Sequence, residues 1–121
     1  MGNTLIAYQK WEDMAEYILK CVVTQLPKSE RYALGEQMRN LTVGIGVHIA
    51  RAVAIRHVGM RKKEVEEADC DLCALKVLIR LADRLRYIDK QKFGQCALYT
   101  TELGKIIGGW TKSLSTQGQR L

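Results

Sequence analysis

Proline occurs once in this chain of 121 residues, phenylalanine once and histidine twice, and aromatic residues make up only 7% of it. With Pro27 the single interruption and no alternating β-branched runs between turn residues, little in the sequence would build a sheet. Apolar runs of about 18 residues are missing, so no membrane span is expected. No basic segment leads into an apolar stretch with a small-residue cleavage site, and the chain is assigned to the cytoplasm. Cysteine is too sparse for a disulfide framework. Cys21, Cys70, Cys73 and Cys96 read as reduced thiols, three of them within helical patterns.

Catalytic constellations are also missing. Helical bundles that hold two metal ions use Glu-x-x-His pairs, but the residues three before His48 and His57 are Ile45 and Ala54. Cys70-x-x-Cys73 has half the spacing of a zinc site, and no second pair completes it. His48 lies on an apolar seam with no nucleophile or acid nominated beside it, which favours a structural role. Gly44-x-Gly46 lacks the third glycine, the preceding strand and the lysine of a phosphate loop. No catalytic residue, metal ligand or cofactor is therefore assigned, and the protein is expected not to be an enzyme.

What the chain does have is positive charge and helical periodicity. Lysine and arginine number 19 against 13 acids, a net charge of +6. Residues 1–75 carry ten of each sign, so the surplus falls in residues 76–121, where nine basic residues face only Asp83, Asp89 and Glu102. Such a field attracts polyanions or an acidic protein surface.

The apolar spacing predicts four helices, over about residues 4–26, 30–57, 61–88 and 90–114, with a polar, frayed tail at 115–121. Trp11, Ala15, Ile18, Val22 and Gln25 mark the first seam, flanked by Met14 and Leu19. Leu34, Met38, Leu41, Ile45, His48, Ala52 and Ile55 mark the second, with Ser29 as its cap. Val65, Ala68, Leu72, Leu75, Ile79 and Ala82 make the third. Beside it runs another of Leu78, Leu81, Leu85 and Ile88, more apolar surface than a four-helix core needs, which points to self-association. Asp89 is placed to cap a fourth helix that turns Phe93, Cys96, Leu103, Ile107, Trp110 and Leu114 inward. Gly44 and Gly46 each cost about 1 kcal/mol in a helix interior, so either a bend or a close backbone neighbour is expected there. Gly59 reads as a breaker, and Gly104-x-x-x-Gly108 as a close helix contact. Short connections make this an all-α, up-down-up-down four-helix bundle, expected to form one domain.

Lys76, Arg80 and Arg84 follow one another at four-residue spacing and align as a ridge. Arg86, Lys90 and Lys92 across the next turn, with Lys105 and Lys112 on the last helix, extend it as a candidate nucleic-acid or partner surface. An ordinary solvated helix face is the alternative. No helix-turn-helix, zinc finger or RNA-recognition motif is present, so sequence-specific reading is not expected.

Leu26-Pro27-Lys28-Ser29-Glu30-Arg31-Tyr32-Ala33-Leu34, Gln37-Met38-Arg39 and Val43-Gly44-Ile45-Gly46-Val47-His48-Ile49-Ala50 resemble the first helical junction of bacterial four-helix-bundle proteins encoded in intervening sequences of 23S ribosomal RNA genes. Glu102-Leu103-Gly104-Lys105-Ile106-Ile107-Gly108-Gly109-Trp110, with the Gln117-Gly118-Gln119 tail, is similar to a related branch, the Avd (accessory variability determinant) proteins of diversity-generating retroelements. The resemblance implies a ring-like homopentamer that binds a reverse transcriptase and its template RNA, with DNA a second candidate, during mutagenic copying. Where the intervening-sequence relatives have Asn-Ile-Ala-Glu-Gly, this chain has His48-Ile49-Ala50-Arg51-Ala52. Arg51 in place of an acid favours the nucleic-acid-associated branch and joins the candidate surface. A stand-alone structural or interaction bundle is the alternative function.

Overall fold

In the computed structural model, which describes residues 2–120 and the side chains of 4–117, every element is helical. Helix α1 spans Gly2–Tyr17 and continues through a π-helical turn, Ile18–Val22, into a 3-10 turn, Val23–Gln25. The Val23 amide donates to the Ile18 carbonyl, five residues back. That extra residue rotates the helix face, so Val22 and Val23, adjacent in sequence, are both buried. Pro27 then starts a single turn, α2, at Lys28–Arg31, followed by α3 at Leu34–Ala54, α4 at Val58–Arg84 and α5 at Lys90–Arg120.

Helices α1 and α4 each pack on both α3 and α5, so α3 and α5 stand at opposite corners of an up-down-up-down bundle. Its core draws Met14 and Ile18 from α1 and the π turn, Met38, Ile45 and Ile49 from α3, Leu72 and Leu75 from α4, and Leu103 and Ile107 from α5. All six residues of the main α4 seam are buried. The two buried hydroxyls among the described residues are satisfied locally: Thr42 Oγ1 donates to the Met38 carbonyl at 2.7 Å and Thr100 Oγ1 to the Cys96 carbonyl at 2.9 Å.

Several expectations are corrected at helix ends. Ser29 lies inside α2 and caps nothing; Pro27 precedes that turn, and the chain leaves helical geometry at Tyr32 and Ala33 before α3 begins. His57, not a residue beyond Gly59, starts α4: its Nδ1 accepts from the Met60 amide at 3.2 Å, leaving Gly59 in the first turn. Asp89 does cap α5, accepting from the Lys92 amide at 2.8 Å. Helix α5 runs to Arg120 instead of ending at Leu114; residue 121 of the expected tail lies outside the described residues. In the first seam Gln25 is exposed and hydrogen-bonds Asp89, while Ala7 takes a core place.

The two glycines of α3 are explained by side chains instead of a bend or a close backbone. A Cβ on Gly46 would fall inside the Trp11 indole, and one on Gly44 would stand 2.8 Å from Asp71 Oδ2. Gly104 lies beside Leu72 and Lys76 of α4, but nothing approaches Gly108, so the GxxxG pair is not a tight helix contact within the protomer.

Candidate nucleic-acid interface

The candidate cations fall into separate groups once the chain is folded. Lys76, Arg80 and Arg84 are exposed along α4, and Lys76 crosses towards α5: its Nζ is 3.6 Å from the place of a Cβ on Gly104. Lys105 and Lys112 are exposed on α5. Arg86 sits in the intervening turn with φ 60°, the left-handed position of a Schellman cap. There the Arg86 amide donates to the Asp83 carbonyl at 3.0 Å and the Tyr87 amide to that of Ala82 at 2.9 Å. None of these six makes an ion pair among the described residues. Their guanidinium and ammonium groups are free to meet phosphates.

Lys90 and Lys92 differ. Lys90 Nζ reaches both Asp83 oxygens, at 3.0 and 3.1 Å, and Lys92 Nζ lies 3.2 Å from Asp89 Oδ2. Asp89 also accepts from the Lys92 amide and from Gln25, and these bonds hold its carboxyl below the usual value of 3.8. The two lysines and two aspartates largely cancel, so the α4–α5 turn contributes Arg84 and Arg86 to the field and little else. Arg51 is exposed on α3, at the corner opposite α5, and does not join the α4–α5 surface.

Folding also exposes cations that the summed charge of residues 1–75 concealed. Some of the acids that balanced them in sequence are occupied elsewhere. His48 Nδ1 stands 2.7 Å from Glu64 Oε2 and its Nε2 3.6 Å from Asp71 Oδ2, a half-buried cluster joining α3 to α4. Burial and the nearby Glu30 carboxylate raise the Tyr87 hydroxyl above its usual value of 10.0. Lys28, Arg31 and Arg39 at the α2 corner, and Arg56, Lys62 and Lys63 around the α3–α4 turn, make no ion pair among the described residues. Local spacing could have suggested these groups, but only the folded ion-pair pattern shows that the cations are left over.

Among the described residues no group of three or more His, Cys, Asp or Glu is placed to hold a metal ion, and no helix is long and apolar enough to cross a membrane. Cys70 and Cys73 are both exposed on α4, Cys21 is half-buried and Cys96 is buried. Burial pushes the Cys96 thiol up to about 12, with Cys21 adding to the shift.

The molecule is thus an all-helical bundle of the up-down-up-down class carrying unpaired cations on several faces. Residues 5–114 match the bAvd-like family, and the chain belongs to it. A solved structure from Bacteroides thetaiotaomicron, a protein of unknown function from the S23 ribosomal protein family, shares the fold. It has a TM-score of 0.83 at 15% identity, over 91% of this chain and 98% of that one. The comparison with curated proteins finds no match.

Proposed function

We propose that this protein is a non-catalytic accessory subunit of a diversity-generating retroelement. It binds the reverse transcriptase and its template RNA through a basic surface and leaves mutagenic copying to the enzyme. One observation carries the reading: membership of the bAvd-like family coincides with six cations on α4, α5 and their turn that have no acidic partner among the described residues. Cations left unpaired by folding gain most from phosphates, because each contact releases condensed counterions.

Self-association into a ring, with five copies as the family resemblance implies, is part of the proposal. Support comes from the second α4 seam, where Leu81 and Leu85 remain 43% and 47% exposed, and from Val77 beside them at 65%. Val43 and Val47 form a similar exposed stripe on α3. Such stripes are costly on a monomer and are ordinary at subunit contacts.

The test is capture of the retroelement's reverse transcriptase by the tagged protein, together with RNA binding across a salt series. Arg80→Glu with Arg84→Glu should weaken one or both without lowering the melting temperature. Unchanged affinity for enzyme and RNA at physiological salt would remove the α4 ridge from the interface. Failure of the wild-type protein to bind either would return it to the stand-alone reading.

A further inference from the structure

The α2 corner carries a feature that the α4–α5 surface does not explain. Tyr32 is 91% exposed, more than any other large apolar side chain among the described residues. It is no loose tip: Leu26 before it and Leu34 and Gly35 after it are buried, and Leu26 packs where Gly35 leaves room. Both flanks are thus anchored, and the break in helix at Tyr32 and Ala33 holds the ring out in solvent. Beside it opens a groove of about 590 Å³ lined by Val23, Thr24, Arg31, Tyr32, Glu36 and Arg39. Although Glu36 lines the same groove, neither Arg31 nor Arg39 pairs with an acid among the described residues.

We infer that this groove is a stacking site for an unpaired base of single-stranded RNA, with Tyr32 as the platform and Arg31 and Arg39 holding the flanking phosphates. The combination selects the ligand. An exposed aromatic ring that lines one groove with two unpaired guanidinium groups suits a base with its flanking phosphates, the combination by which proteins hold single strands. Free phosphate would need the arginines but not the ring, and a duplex keeps its bases stacked inside. Glu36 repels phosphate from its side of the groove and accepts a hydrogen bond from a base N–H. The inference rests on RNA being a partner, and it adds a second contact at the α2 corner, off the α4–α5 face.

The experiment is fluorescence anisotropy of a labelled mixed-sequence single-stranded RNA with the full chain, across a salt series, beside the same RNA annealed into a duplex. Tyr32→Ala should weaken single-strand binding by roughly 5- to 150-fold with the salt slope unchanged, and Tyr32→Trp should restore it. Arg31→Gln and Arg39→Gln should each reduce the slope by about 0.7. Duplex binding should not respond to Tyr32→Ala. If the wild type binds RNA and Tyr32→Ala binds the single strand equally well, the stacking site is wrong while the accessory function stands. A change in oligomeric mass or in polymerase capture, with RNA affinity untouched, would make the groove a protein contact and overturn the inference. Wild-type protein that binds no RNA would remove the stacking site together with the RNA part of the accessory reading, while polymerase capture would still stand or fall by itself.

Discussion

The indole of Trp11 occupies the space that a side chain on residue 46 would need, and its Nε1–H donates to the Thr42 carbonyl at 2.8 Å, locking α1 against α3. Gly46 is therefore a socket. Gly46→Ala should destabilise the bundle by about 1–3 kcal/mol, since the ring must leave a packed position. Gly44→Ala meets only the end of the Asp71 side chain, which can swing away, and the gain in helix propensity of about 1 kcal/mol offsets that disturbance. Urea unfolding of the two variants should place Gly46→Ala clearly below Gly44→Ala. Equal midpoints would contradict the socket.

His48 links two carboxylates of α4, at 2.7 Å to Glu64 and 3.6 Å to Asp71, each group about a quarter exposed or less except Asp71 at 28%. Replacing it with alanine leaves two half-buried like charges without their bridge. His48→Ala should cost about 1 kcal/mol, a modest figure because solvent still reaches the cluster. In the double variant with Glu64→Gln, the cost should be less than the sum of the single changes. Additive costs would show that the pair is not coupled.

Arg86 occupies left-handed backbone that a side chain adopts at a cost of about 1–2 kcal/mol and glycine adopts freely. Arg86→Gly should leave the Schellman cap intact and stabilise the fold by up to about 1 kcal/mol, after the greater freedom of unfolded glycine is counted. It should also weaken RNA binding if the α4–α5 turn meets phosphate. A fall in melting temperature would mean that the arginine side chain supports the turn.

Two titrations bound the pH range of stability in opposite directions. Asp89 has its folded value below 3.8, so its contribution is present above that value and is lost as pH falls through the folded value. Cys96 is raised from 9.0 to about 12, so its contribution is present below 9.0 and is lost as pH climbs towards 12. Asp89→Asn should flatten the acid limb of the melting profile and leave the alkaline limb alone. Cys96→Ala, compared by the shape of its profile, should flatten the alkaline limb.

Thiol labelling at neutral pH should modify Cys73 and Cys70 in the native state and Cys96 only after unfolding. Partial desolvation against the surface of α4 and the neighbouring Glu67 and Asp69 raise the thiol of exposed Cys70, so it should react more slowly than a free thiol and accelerate in Glu67→Gln. Protection of both exposed cysteines at high protein concentration would locate self-association on the outer face of α4.

The helical class and most of the core were legible in the sequence, because burial on one side of a helix writes itself as a three- and four-residue spacing. The α4 seam from Val65 to Ala82 is buried residue for residue. The first helix was harder to read, because its π turn inserts a residue and shifts the face, which brings Val23 inside and leaves Gln25 out. The fates of Gly44 and Gly46 depended on which side chains of other helices lie opposite them, and spacing within α3 carries no record of that.

Charge divides in the same way. Sequence alone determined the net value of +6 and the surplus in residues 76–121. Only the tertiary structure decided which cations remain free: Asp83 and Asp89 bind Lys90 and Lys92, Glu64 and Asp71 turn to His48, and Arg31 and Arg39 are left beside the exposed Tyr32. The reason is the short range of ion pairing in water. A charge is cancelled by the partner within a few ångströms in space, whatever its separation along the chain.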